Sequence, residues 1–379
     1  MKSNITDCMQ PYLINLQGVT VEAQIEARLL GLDFLRCILA LGVLCWHYQH
    51  FANNDSSIQF IKQQQPLYFL LKIFYSHGGQ FRVQAFWCIS GFILFSKYGQ
   101  GIAEKLVSSK KFFIGRLSRI YPLHLVTLFI VAFANLVYFY YHQRYFAYQT
   151  NDFISFLKQL LLASNWMGGP HNFNGPIWSL SAEIPVYGIF YIFTRLFGLR
   201  ASVNYLFISF YILAKWANLT VPVIDCMGYF YSGGLSAMYL QKIETQGGNK
   251  SLDFRFFLLV LILLIGLHLL KLPLLKPIKY LVLINMMMIC FYYTSRIIKT
   301  HPKIQKIIQT MSKLTFSSYL IQFPMQIILV LLFDWLHQDI PFYSISFLLM
   351  FISSTLYTSY LSVHYFEKPL QSYIRNKFK

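Results

Sequence analysis

The chain is predicted to be all-α, a polytopic transmembrane bundle of about ten helices, and three observations predict it. Hydrophobic residues make up 56% of the 379 positions and charged ones only 12%, with 18% aromatics and a mean hydropathy of +0.47. That composition is too apolar for a water-soluble globule. Ten mostly apolar stretches of roughly 17 to 24 residues can be drawn, each long enough for a hydrocarbon core about 30 Å thick. The basic residues behind the net charge of +18 are also unevenly placed. With the N-terminus inside, the cytoplasmic segments hold about 22 Lys and Arg and the external ones about 9, the positive-inside asymmetry. The basic excess therefore reads as topology and not as a nucleic-acid footprint.

In order, the expected spans are 32–51, 81–98, 117–140, 177–197, 202–218, 222–241, 255–272, 278–296, 314–336 and 343–365, which leaves both termini cytoplasmic. Residues 67–76 and 153–164 are apolar but short and contain Lys72 and Lys158, so they read as interfacial or re-entrant pieces on the outer side. Residues 1–30 carry Glu22, Glu26 and Arg28 without a cleavable leader pattern and read as a cytoplasmic tail. Residues 31–370 then form one membrane domain, and 371–379 a basic cytoplasmic tail. No repeat of fixed period and no low-complexity tract interrupts it. The six cysteines have no metal or disulfide spacing and read as small buried hydrophobes. The ten histidines show no paired metal spacing, so no metal is expected.

Three polar constellations stand out against this apolar background. Arg36 and His47 are eleven residues apart in the first span, almost three helical turns, so they share a face and are separated by about 16–17 Å along the axis. A cation and an imidazole within one span usually face a polar cavity or a partner, the plainer alternative being a snorkelling Arg and a lone interhelical hydrogen bond. Arg116 and Arg119, three apart at the start of the third span, project from one side of a helix at the cytoplasmic surface. Two guanidiniums so placed suit a phosphate, although simple positive-inside anchoring would use the same residues. Glu183 falls in the first two turns of the fourth span, among Trp178, Ile184 and Tyr187, either as a site carboxylate or as an acid favoured by the helix dipole.

Taken in order, these segments resemble the acyltransferase-3 family of integral membrane acyltransferases, which includes bacterial O-antigen acetylases. Leu32-Asp33-Phe34-Leu35-Arg36 followed by His47 is similar to the family's opening, with its spacing of ten residues between Arg and His. Phe86-Trp87-Cys88-Ile89-Ser90-Gly91-Phe92 resembles its second signature, Arg116 and Arg119 meet its Arg-x-x-Arg, and Trp178-Ser179-Leu180 with Glu183 meets its Trp-Ser-Leu-x-x-Glu. Leu314 to Leu320 and Glu367-Lys368-Pro369 match two weaker signatures. The chain departs at Gln322, where the family commonly has His, at Gln84 in place of Asp, and at Gly115 in place of the first of three arginines.

The resemblance implies an enzyme that takes an acyl group, by default acetyl, from cytoplasmic acyl-CoA and delivers it to a hydroxyl of a cell-surface carbohydrate such as O-antigen or exopolysaccharide. It places the chain in the bacterial inner membrane, with acyl-CoA, a carbohydrate or lipid-linked glycan and the bilayer as partners, and with neither metal nor nucleic acid. It makes His47 the general base, with Glu183 orienting the acceptor or polarising His47. Arg36, Arg116 and Arg119 bind the donor, and Asp33, Ser90, Gly91, Trp178 and Ser179 line the site. The expected geometry docks the donor's phosphates on Arg116 and Arg119 and sets its thioester beside His47. A proton-coupled transporter, or a subunit handling lipid-linked sugars, would also place Arg, His and Glu inside spans, but the hydropathy shows no twofold repetition.

Overall fold

A computed structural model describes residues 29–53, 60–76, 79–245, 266 and 275–378. Among the described residues the chain is helical throughout, without strands. In chain order the helices are α1 (Leu30–Tyr48), α2 (Tyr68–Ser76), α3 (Gly79–Leu94), α4 (Ser109–His142), α5 (Phe153–Leu160) and α6 (Trp178–Phe197). They continue with α7 (Ala201–Trp216), α8 (Pro222–Thr245), α9 (Lys276–Lys299), α10 (Pro302–Trp335), α11 (Ile345–Leu361) and α12 (Lys368–Lys377). Wide π turns at Phe95–Gly99 and Ser362–Glu367 extend α3 and α11.

Local chemistry sets these limits. Ser108 accepts the Lys111 amide at 3.2 Å to start α4, which stops 34 residues later at Gln143 in the left-handed region. Asp152 starts α5 the same way, accepting the Ser155 amide at 2.8 Å and the Ser155 hydroxyl at 3.1 Å. Those bonds hold its carboxyl below the usual range. Pro302 occupies the first turn of α10, where its missing amide costs nothing.

Among the described residues six segments are long and apolar enough to cross a membrane: Leu30–Ala52, Ser109–His142, Gly175–Phe197, Lys276–Lys299, Pro302–Trp335 and Ile345–Lys377. Three other expected spans, at α3, α7 and α8, are helical but do not combine that length and apolarity. Their polar residues hold the helices to one another. Lys215 on α7 pairs with Asp225 on α8 at 2.8 Å, and the Asn285 amide of α9 donates to Ser232 of α8 at 3.0 Å. The expected span 255–272 lies outside the described residues. The close approach of α3 and α8 has a plain cause: a Cβ on Gly91 would lie 1.9 Å from the Phe230 carbonyl oxygen, and one on Gly233 1.9 Å from that of Cys88.

The pieces expected at the interface are α2 and α5, of nine and eight residues, too short to span. Both turn apolar side chains outward, with Phe69 92% and Phe153 73% exposed, as a helix lying against lipid does. The interior contains Cys45, Cys88 and Cys226 as free, buried thiols. Towards the end of α4, Tyr140 and Tyr141 are exposed as an interfacial aromatic belt would be, whereas Tyr138 and, further on, Phe173 are buried.

Contacts sort the two ends of the bundle. At one, the Gly31 amide donates to Ser295, Ser317 donates to Glu367 at 2.6 Å, and Arg375 of α12 donates to the Gly115 carbonyl of α4. Residue 31 and the C-terminal helix are therefore on the same side. At the other, Tyr48 donates to the Phe342 carbonyl at 2.7 Å and His142 meets Asp334 at 2.8 Å.

Candidate functional site

A cavity of about 180 Å³ opens among α1, α3, α4, α6 and α10. Its walls are mostly apolar, with Leu44, Phe86, Trp87, Ile120 and Phe316 among them, and its polar groups are few and charged: Arg36, Arg116, Arg119 and Glu183. Each is anchored differently. Arg36 donates to Asp33 at 3.2 Å one turn back on α1, and to the Thr315 hydroxyl of α10 at 3.3 Å. Arg116 donates to the Tyr98 hydroxyl at 3.1 Å and lies over that ring at 5.1 Å, with its Nε buried and without a hydrogen-bond partner. The π turn at 95–99 carries Tyr98. Arg119 lies 5.7 Å over the Phe316 ring. More than a third of its surface is accessible although protein surrounds it, because that surface opens into the chamber.

Glu183 enters from α6. One carboxylate oxygen is buried without a hydrogen-bond partner, and the group sits by the Ser90 and Tyr187 hydroxyls in the field of Arg116 and Arg119. Those two hydroxyls are 3.4 Å apart. Buried polar groups are ordinarily satisfied, so unpaired donor and acceptor atoms on chamber-lining side chains are features of a binding site. Three guanidiniums against Glu183 and the Asp33 carboxylate paired behind Arg36 leave the chamber with net positive charge, in surroundings where charge is weakly screened. It suits an anionic or strongly polar ligand.

The expected site residues divide cleanly. Arg36, Ser90, Arg116, Arg119, Ser179 and Glu183 line one chamber. The arginines expected on the cytoplasmic surface and the carboxylate expected towards the outside thus meet in the interior, because α4 carries Arg116 and Arg119 inward from its first turns. Asp33 acts behind Arg36. Gly91 is not among the residues that line the chamber, and its missing side chain lets α8 approach. Trp178 stands behind Trp87, edge-on at 5.6 Å, while the Trp87 indole donates to the Ser179 carbonyl at 3.1 Å.

His47 is placed apart from the arginines. Along α1 the chamber is lined by Arg36, Ala40, Val43 and Leu44 and stops there, one turn short of His47. The imidazole instead stands 4.9 Å from the His50 ring, with Nδ1 buried and without a partner, while its backbone carbonyl accepts from Gln326 at 2.6 Å.

Three further residues were not named as site residues, two of them in the chamber. Tyr187, one turn after Glu183, shares its face by helical spacing and was findable on that ground. Tyr319 donates to the Pro176 carbonyl and meets the Ser179 hydroxyl at 2.8 Å, bracing the start of α6 against α10. Arg82, 4% exposed, donates to the carbonyls of Ile73 and Phe74 and ties α2 to α3. A cation within an expected span was its signal.

Fold and chamber together define a membrane-embedded helical protein with an internal cationic site. Residues 29–359 match the family described as an acyltransferase domain, Acyl_transf_3, and the chain belongs to that family. It is also 33% identical over 176 residues to the acyltransferase MdmB of Streptomyces mycarofaciens, a stretch covering 45% of this chain and 40% of that relative. No solved structure matches. Among the described residues no group of three or more His, Cys, Asp or Glu is arranged to hold a metal.

Proposed function

We propose that the protein transfers an acyl group, acetyl by default, from cytoplasmic acyl-CoA to a hydroxyl of a cell-surface carbohydrate, O-antigen or exopolysaccharide, across the bacterial inner membrane. In this reading the chain crosses the bilayer ten times with both termini cytoplasmic. The observation that carries the reading is the convergence of Arg36, Arg116 and Arg119 in one chamber at the end of the bundle that also holds residue 31 and α12.

In this reading the slender acyl-pantetheine end of the donor enters the chamber. The phosphates stay towards Arg116 and Arg119, whose planar donors suit them. Arg36 orients the thioester or binds a further anionic group of the donor.

His47 acts from the far side. As general base it takes the proton of the acceptor hydroxyl as the oxygen attacks the thioester carbonyl. The new C–O bond forms, the C–S bond breaks, and the proton ends on the departing thiol. Glu183 positions the acceptor hydroxyl or polarises His47. Transfer is direct and needs no acyl-enzyme.

Mass spectrometry of surface glycans from cells with and without the chain tests this reading. An acyl mass increment that depends on the chain is expected. An altered amount of glycan at unchanged mass would overturn the reading and favour a transport or lipid-linked sugar role.

A further inference from the structure

Between the chamber and the outer end of the bundle runs a series of rings that the donor site does not use. Trp87 lines the chamber and meets Trp178 at 5.6 Å. Trp178 is 5.8 Å from His171, His171 is 5.8 Å from Tyr148, Tyr148 is 5.6 Å from His50, and His50 is 4.9 Å from His47. The six rings come from stretches far apart in sequence: the end of α1, α3, the connection after α4, and the connection into α6 with its first residue. They trace an arc that begins in the chamber, passes through the exposed His171 and returns to His47.

Part of this arc is held rigid. Gln326 uses its amide nitrogen on the His47 carbonyl, which leaves Oε1 facing His50 Nδ1 at 3.2 Å. His50 Nδ1 must then carry the hydrogen, and Nε2 is the acceptor turned towards the Tyr148 hydroxyl, 3.5 Å away. Tyr148 is seated in turn by Gly175, where a Cβ would fall 2.1 Å from the ring. His47 retains a buried Nδ1 without a partner.

We propose that these rings frame the port by which the acceptor reaches the chamber, and that the acceptor unit they admit is a sugar ring. Trp178 and Tyr148, each only partly buried, offer apolar ring surface to its C–H groups, and the imidazoles offer hydrogen-bonding nitrogens to its hydroxyls. The port brings a hydroxyl to His47 from the side opposite the arginines, so donor and acceptor meet across the single turn between Leu44 and His47. This rests on the acyl-transfer reading and adds to it the acceptor's place and the residues that receive it.

The test uses the full chain in nanodiscs, with acetyl-CoA as donor and de-acylated surface polysaccharide from cells lacking the chain as acceptor. His171 is exposed and its replacement leaves the interior intact. His171→Ala is expected to raise the acceptor KM about tenfold, equivalent to 1.4 kcal/mol, with the acetyl-CoA KM within about twofold of wild type. His171→Phe, which keeps a ring between Tyr148 and Trp178 but lacks the ring nitrogens, recovers only part of the loss. His171→Cys blocked by a bulky maleimide loses transfer while still binding acetyl-CoA. An unchanged acceptor KM in His171→Ala, or full activity after blocking, would reduce the arc to packing and overturn the port while the acyl-transfer reading stands. Wild-type protein that acylates no polysaccharide would overturn both.

Discussion

Arg36 and His47 show how far one helix can be read from its sequence. Their eleven-residue spacing puts both on one face, and the structure keeps Arg36 in the chamber and His47 one turn past its end. What the spacing could not supply is where the cavity stops, since Val43, Leu44 and the side chains of four other helices decide that. The same limit applies to Glu183. Its motif was legible, but its company was not, because Arg116 and Arg119 reach it from a helix that begins almost seventy residues earlier. If His47 is the base, His47→Ala lowers transfer by about 10²–10⁴-fold, the usual contribution of general-base catalysis. Insertion is spared, because Nδ1 has no hydrogen bond to lose. Transfer rates set against membrane-fraction yield check this, and near-wild-type rates would remove the assignment.

Among the helices, long apolar stretches were the easiest to read: α1, α6 and α9 fall close to their expected positions, while α4 and α10 begin well before theirs. α3 and α7 are helical but only 16 residues long, and α7 still turns Leu206 and Leu213, 59% and 58% exposed, outward as a lipid-facing helix does, while Lys215 ties it to Asp225 of α8. Ser90 and Gly91, both expected to line the site, take different places. Ser90 lines the chamber, while Gly91 brings two backbones together. Gly91→Ala must push Phe230 backbone aside and is expected to cost about 1–3 kcal/mol, as overpacking does. Gly188→Ala in α6 meets nothing within 4 Å and serves as the matched control. Thermal unfolding in detergent compares them: Gly91→Ala melts lower, Gly188→Ala does not. Equal melting of Gly91→Ala and wild type would contradict the close approach of α3 and α8.

For the whole molecule, charge bias and family resemblance announced a multi-helix membrane acyltransferase before any geometry, and the family match over residues 29–359 agrees. That residue 31 and α12 share one end of the bundle follows from contacts that no hydropathy scan contains, such as Arg375 on Gly115 and Ser317 on Glu367. In intact cells, an impermeant maleimide should label His337→Cys at the outer end and spare Lys111→Cys at the end that carries α12. Reversed labelling would invert the donor and acceptor sides.

Acetyl-CoA titrated into the purified chain in nanodiscs tests the central claim, that three converging guanidiniums grip the donor inside the bundle. Charge-assisted hydrogen bonds are worth about 1.5–3 kcal/mol, so the Arg116→Gln/Arg119→Gln double variant should bind at least about tenfold more weakly than wild type. His47→Ala should bind as well as wild type. Unchanged affinity in the double variant would contradict the account.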